Sequence, residues 1–322
     1  MAFKSGSRLS TARSLLASRS LGPIIILLLL IAAFSYFTGN FLTVRNVVNI
    51  GMQSAILLIV AVPMTLVILC EGIDLSPGAV LSLSGVILAT IITSGLSLTV
   101  ATAVAVLAGL GFGALNGTLI AGLGLPPFVV TLGTSGMAYG LALALTGGNG
   151  VSGLGEEIVA FNDASFAGIP LLLYIALAVY AVFHVALYHT RFGRYVFAVG
   201  GNIRALNYAG VNAMYVHAAV YLALGGACGV AALCLISRTN AGHPGIALGI
   251  EFDAIAAVVL GGTAFERGNG WLFGTALGVL VIGTLKNGLN LLAIDTSIQL
   301  MSVGGLVLAV LLLDKYALGK GA

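Results

Sequence analysis

Charge is the scarcest commodity in this chain: 13 Lys and Arg and 10 Asp and Glu stand among 322 residues, a charged fraction of 7%. A water-soluble domain keeps roughly a quarter of its residues charged to cover its surface, so a soluble fold is excluded. Proline is scarce too, at 7 residues, and no Pro- or Ser-rich stretch divides the sequence. A basic segment, residues 1–20, and one membrane domain, residues 21–322, are therefore expected. The cysteines number 3, and Cys70, Cys228 and Cys234 form no close pair of metal-ligand spacing, which makes them packing residues.

Catalytic signatures are missing as well. The one Gly-Lys pair, Gly319-Lys320, is followed by Gly321 instead of Ser or Thr, so the nucleotide-binding loop pattern fails. His184 and His189 lie five apart with no Glu of the metalloprotease helix between them; His184, His217 and His243 read as isolated, packed or interfacial residues. With no nucleophile and base at helical spacing, no enzyme, cofactor or metal site is expected. The net charge of +3 fits a cytoplasmic face against anionic lipid, and no nucleic-acid site.

What the chain has in quantity is apolar surface, 59% of residues, and 45 glycines. An α-helix crosses the hydrocarbon core with about 20 apolar residues. Division on that basis gives about ten crossings: Leu21–Phe37, Val47–Cys70, Leu75–Ser94, Leu98–Gly124, Pro126–Thr146, Ile169–His189, Ala213–Ile236, Ile250–Ala264, Trp271–Leu292 and Ser297–Leu313. The runs are apolar on every side, unlike the alternating strands of a barrel, so the fold class is an all-α polytopic membrane protein. Lys4, Arg8, Arg13, Arg19, Arg191, Arg194, Arg204, Arg267, Lys315 and Lys320 then share one side, against Arg45 and Arg238 on the other. Positive residues are retained inside, so both termini are expected in the cytoplasm. Phe34, Tyr36 and Phe37 follow the first apolar run without a small-residue cleavage pattern, which reads as an uncleaved first helix.

A weak internal echo runs through the chain. Gly72-Ile73-Asp74 precedes one span and Gly249-Ile250-Glu251-Phe252-Asp253 another; Gly113 to Gly117 and Gly283 to Gly288 sit late in the helices that follow. Corresponding spans are five crossings apart, so two copies would run in opposite directions, as in transporters with inverted repeats; chance likeness of Gly-rich apolar segments is the alternative. Small residues at Gly109, Gly113 and Gly117, at Gly136 and Gly140, and at Gly274 and Gly278 read as rows that let helices pack closely.

Polar residues are few enough to weigh singly. Asp74 or Ser76 can cap the helix begun by Pro77, and Asp253 can cap the short eighth helix. Equally, Glu71, Asp74, Glu251 and Asp253 can line a polar path, since ionisable groups near lipid face a cavity or a partner. Asn116, Thr131, Thr134, Lys286 and Asn287 lie within spans, where each can satisfy a neighbouring backbone. In the basic loop, residues 190–212, Asn202 begins and Gly210 ends a two-turn helix. Ile203 and Leu206 share one face, and Arg204, Asn207 and Tyr208 another. A solvated loop helix and a docking element for a cytoplasmic partner are both open.

Gly72-Ile73-Asp74-Leu75-Ser76, the run Pro126 to Thr134, Gly200-Gly201-Asn202 and the run Asp253 to Thr263 resemble the permease family of bacterial sugar ABC importers, the ribose, xylose and galactose type. The likeness extends from about Gly51 to the end, with the motifs in the family's order. It implies a multi-pass subunit of the bacterial cytoplasmic membrane that passes a sugar or sugar-like polyol. The implied partners are a separate ABC ATPase, a periplasmic sugar-binding protein and a second permease, identical or related. The family's coupling segment usually carries Glu-Ala-Ala before its Gly. This chain has Ile203-Arg204-Ala205 before Gly210, and the turn Arg267-Gly268-Asn269-Gly270 also departs from the family's pattern. Coupling is then expected on Asn202, Ile203, Arg204, Ala205, Leu206 and Gly210, and the translocation path at Asp74, Asn116, Phe128, Thr131, Thr134, Asp253 and Asn287. The competing reading is a secondary transporter driven by an ion gradient, with Asp74 and Asp253 as its ion sites.

Overall fold

The apolar runs close into helices because a backbone in hydrocarbon must satisfy its own polar groups. A computed structural model describes residues 6–264 and 268–318. Among these the helices, in chain order, are α1 (Gly6–Phe37), α2 (Val44–Leu69), α3 (Pro77–Thr93), α4 (Leu98–Gly117), α5 (Pro127–Thr146), α6 (Glu156–Asp163), α7 (Leu171–His189), α8 (Arg191–Tyr208), α9 (Ala213–Thr239), α10 (Ile250–Leu260), α11 (Leu272–Leu291) and α12 (Thr296–Leu318). A π-turn, Thr118–Gly122, extends α4. Six helices are long and apolar enough to cross a membrane, α2, α4 with its π-turn, α5, α7, α9 and α11. The chain is an all-α polytopic membrane protein. Lys4, Arg267 and Lys320 of the charge tally lie outside the described residues.

Helix starts follow local chemistry. The Thr43 hydroxyl accepts from the Asn46 N–H at the start of α2, and Asn212 Oδ1 accepts from the Met214 N–H at the start of α9. Gly147 ends α5 with φ of 60°, a left-handed cap. The interior is built on α2 and α9, whose buried residues run from Ser54 to Leu69 and along most of Val216 to Ser237. Cys70, Cys228 and Cys234 are buried thiols within it.

The tightest helix pairing, α4 on α9, follows one glycine row. A Cβ on Gly109 would strike the Gly225 carbonyl, one on Gly113 would lie 2.5 Å from the Tyr221 carbonyl oxygen, and one on Gly117 would lie 2.8 Å from Ala218 Cα. Gly274 and Gly278 on α11 approach Gly261 and Ala257 of the α10 segment in the same way. The third row fails: Gly136 and Gly140 meet nothing within 4 Å and face outward on α5. A small residue permits close approach without supplying the neighbour.

The connections gather at two ends of the bundle. At one end Gly200 of α8 abuts the Leu69 carbonyl, and Gly268 abuts the Phe197 carbonyl. At the other, Arg238 donates to Asn49 Oδ1, the Leu154 N–H donates to Asn240 Oδ1, and the Leu98 N–H donates to Glu157. There Val151 and Ser152 pair antiparallel with Gly242 and Ala241. The expected loop 147–168 contains α6 and the strand Ser165–Phe166, which pairs with Ile169–Pro170 just beyond it.

The expected span Leu75–Ser94 appears as the continuous helix α3, Pro77–Thr93, and the expected span Ile250–Ala264 shortens to α10, Ile250–Leu260. With 11 residues, α10 extends about 16 Å at 1.5 Å per residue, half of a hydrocarbon core of about 30 Å. A non-helical stretch, residues 243–249, precedes it. Residues 70–76 similarly precede α3. The N-termini of the two short helices meet, since a Cβ on Gly78 would strike the Glu251 carboxylate and lie 2.7 Å from the Ala247 carbonyl oxygen. Both breaks thus reach a common depth inside the bundle.

Candidate functional site

At the first break Asp74 is buried, with 2% of its surface exposed. Its Oδ1 accepts from the Ser76 N–H at 2.8 Å and the Ser76 hydroxyl at 2.6 Å. Asn116 Nδ2 donates to Ser76 Oγ at 3.0 Å, and Thr134 Oγ1 donates to Asn116 Oδ1 at 2.7 Å. A chain of hydrogen bonds therefore links the break to α4 and α5. The Thr131 hydroxyl lies within reach of the Pro127 and Ile73 carbonyls, at 2.9 and 3.3 Å. Four expected path residues, Asp74, Asn116, Thr131 and Thr134, thus converge. Neither Asp74 nor Ser76 caps α3 through a side chain to its first turn: Ser76 holds the N-cap position without such a bond, because Asp74 bonds the Ser76 N–H itself. Phe128 stands apart, half exposed on the outward side of α5.

The second break has different chemistry. Gly249, at φ of 98°, is the N-cap of α10, and no side chain caps it. Asp253 is therefore not the expected cap; it sits in the first turn and forms an ion pair with Lys286 of α11. Glu251, in the first turn, accepts from the Gly249 N–H and lies over Gly78 at the start of α3. A carboxylate between two helix N-termini meets the positive ends of both dipoles. Asn287, next to Lys286, exchanges amide hydrogen bonds with Asn46 at 2.9 and 3.0 Å, so it braces α11 to α2.

Sequence reasoning missed Asn46, a lone amide in the first turn of an apolar helix, and the Thr65 to Thr275 hydroxyl contact at 2.8 Å. It also missed Tyr221, whose buried hydroxyl faces Gly72 and has no hydrogen-bond partner. For Asn46 and Thr65 the residue type stood in the sequence, but its partner lay on a distant helix.

The basic segment keeps its expected start and stop. Helix α8 is kinked at Asn202, where φ is −163° and ψ is 89°, and Asn202 Oδ1 accepts from the Ala205 N–H at 2.9 Å. Gly210 follows at φ of 79°. The regular part is longer than expected, because residues 191–201 are also helical. Ile203 and Leu206 do not share an environment: Leu206 is buried at 7% exposure and Ile203 stands out at 42%. Leu206 anchors the turn; Asn202, Ile203, Arg204, Ala205 and Gly210 present it to the surroundings.

A bundle of apolar helices whose buried polar groups gather at two non-helical segments, residues 70–76 and 243–249, is an arrangement found in membrane transport proteins. Residues 46–311 match the family described as branched-chain amino acid transport system / permease component, and the chain belongs to that family. It is 38% identical over 299 residues to the ribose import permease protein RbsC of Bacillus subtilis (strain 168), covering 92% of this chain and 93% of that one. It is 36% identical over 297 residues to the D-allose transport system permease protein AlsC of Escherichia coli (strain K12), 91% of each chain. The L-arabinose ABC transporter permease protein AraH of Azospirillum brasilense is 33% identical over 295 residues, 92% of this chain and 87% of that one. No solved structure matches. The protein is a multi-pass permease, a transport component and not an enzyme.

Proposed function

We propose that this permease carries a sugar or sugar-like polyol inward as the membrane subunit of an ABC importer, served by a separate ATPase and a periplasmic sugar-binding protein. The observation that carries this reading is the likeness, over nine-tenths of the chain, to permeases whose names specify ribose, D-allose and L-arabinose. The family's description mentions branched-chain amino acids, but those relatives are sugar permeases.

In this reading the chain crosses the membrane ten times, with both termini in the cytoplasm and residues 21–322 as one domain. The six long helices, the shorter apolar helices Leu21–Phe37, Pro77–Thr93 and Thr296–Ala309, and the half-length α10 supply that number. The gathering of connections at two ends supports the alternation. An inverted repeat relates α2 to α5 with α9 to α12. The pairing of α3 with α4 has its counterpart in α10 with α11, α3 with α9 in α10 with α2, and α4 with α9 in α11 with α2. The path follows the interface of the repeats, past Asp74, Asn116, Thr131, Thr134, Asp253 and Asn287, with Phe128 on its outer wall. A second permease, identical or related, completes the unit in the lipid bilayer.

Residues 202–210 form the coupling surface. ATP binding moves the permease only through contacts that differ between its states, and an exposed turn held by one buried leucine suits that task. The test is Arg204→Glu. Co-purification with the ATPase and ATP-driven uptake should both be lost while the permease still folds; unchanged association and uptake remove Arg204 from coupling. Against the ion-gradient alternative, Asp253 is committed to Lys286, so Asp74 and Asp253 are not a pair of free acids.

A further inference from the structure

A strap crosses the end of the bundle opposite the basic segment. It lies between α5 and α6, and it pairs antiparallel with residues 241–242, Val151 opposite Gly242 and Ser152 opposite Ala241. Residues 241–242 lead directly into the second break, residues 243–249, and a Cβ on Gly150 would lie 3.5 Å from the His243 ring. One further bond, from the Leu154 N–H to Asn240 Oδ1, holds the strap's far end. Two residues a side make a ladder too short to hold by itself. Gly148 and Gly153 bound it, at φ of 82° and 73°, a backbone state that glycine adopts freely. What flanks the strap is firm by comparison. Leu154 and Ile158 of α6 are buried in a small cluster with Leu88, Ala105 and Ile236 of α3, α4 and α9, and a Cβ on Gly242 would lie 2.7 Å from Ala89 Cβ. A weakly held element thus joins two well-packed ones.

We propose that residues 149–152 are a strap that shuts the outer end of the transport path, and that each transport cycle lifts it from residues 241–242. A path used alternately from two sides is closed on one of them in each state, and elements that move are drawn from the least stable parts of a fold. The strap continues from α5, whose Thr131 and Thr134 belong to the surroundings of the first break. It ends on the segment that begins the second, where Gly245 also comes near Tyr139 of α5. Lifting it breaks a two-residue ladder and turns the backbone at the flanking glycines; no helix has to repack. The inference rests on the permease reading above and adds a moving part to it, whichever solute is carried.

The test is a reversible lock. Residues paired across antiparallel strands stand about 4.5–5.5 Å apart at Cα, within the roughly 4.4–6.8 Å that a disulfide spans, so Ser152→Cys with Ala241→Cys joins the strap to its partner in place. The complete importer, permease with ATPase and binding protein in proteoliposomes, is offered labelled D-ribose, D-allose and L-arabinose under copper phenanthroline and then under dithiothreitol. Loss of thiol labelling reports the bond. Under oxidant, uptake by the double variant should fall to that of vesicles without transporter, and reduction should restore it. The same molecules serve both measurements, which separates locking from folding. The native importer, whose permease thiols are all buried, and Ser152→Cys alone should be indifferent to oxidant. Uptake that the formed bond leaves unchanged, or that reduction fails to restore, overturns the proposal. Failure of the bond to form overturns it too, because the strands are then not paired. A native importer that takes up none of the three sugars removes the permease reading itself; a working native importer with an indifferent double variant removes the strap alone.

Discussion

The two breaks, residues 70–76 and 243–249, meet inside the bundle and are chemically unlike. At the first, Asp74 forms no ion pair among the described residues and is held by Ser76, which Asn116 bonds, and Thr134 bonds Asn116 in turn. At the second, Asp253 faces Lys286 and the pair is partly open. One break carries a buried hydrogen-bond network and the other a partly exposed ion pair. The network ties α3 to α4 and α5, and the pair ties α10 to α11. Glu251 belongs to the second break but touches the first, at Gly78, and so fastens the two together.

That contrast can be broken at the point of contact. Gly78→Leu, which drives a side chain into Glu251 and the Ala247 carbonyl, should have the largest effect. Overpacking of a rigid site costs about 1–3 kcal/mol, and here it also parts the two breaks, so folded, monodisperse protein should nearly vanish from fluorescence-detected size exclusion. Asp74→Ala should come next. It strips the Ser76 N–H and hydroxyl of their acceptor, at about 1–3 kcal/mol for each buried group left unpaired, and should lower the melting temperature in detergent well beyond what Lys286→Met does. Glu251→Gln should be smallest, since the amide keeps the shape and loses only the charge between helix ends, about 0.3–1 kcal/mol. A melting temperature for Glu251→Gln below that of Asp74→Ala would reverse the roles assigned to the two breaks.

Much of the architecture was legible in sequence because hydropathy reports what the bilayer demands. The apolar runs became helices, and Asn202 with Gly210 framed a turn whose start and stop are local chemistry. Which helices lie inside was not legible. Helices α2 and α7 are both uniformly apolar, yet α2 is the core and α7 faces outward, because lipid and protein interior present the same solvent to a leucine. The glycine rows taught the same lesson: Gly113 lies against α9 while Gly140 lies against nothing. At the site, Asp74, Asn116 and Thr134 were individually visible as stray polar residues. Their chain of bonds joins three helices, and no local pattern encodes it. Asp253 was misread as a cap because helix-start rules consider only neighbours in sequence, and Lys286 lies 33 positions away.

Every role assigned to these residues presumes a permease that supplies the route and borrows the drive. Vesicles containing the purified chain alone, loaded with ATP and offered labelled D-ribose, D-allose or L-arabinose, test this most directly. Neither nucleotide hydrolysis nor uphill accumulation should occur until the ATPase and the binding protein are added. Accumulation against a gradient by this polypeptide on its own would contradict it.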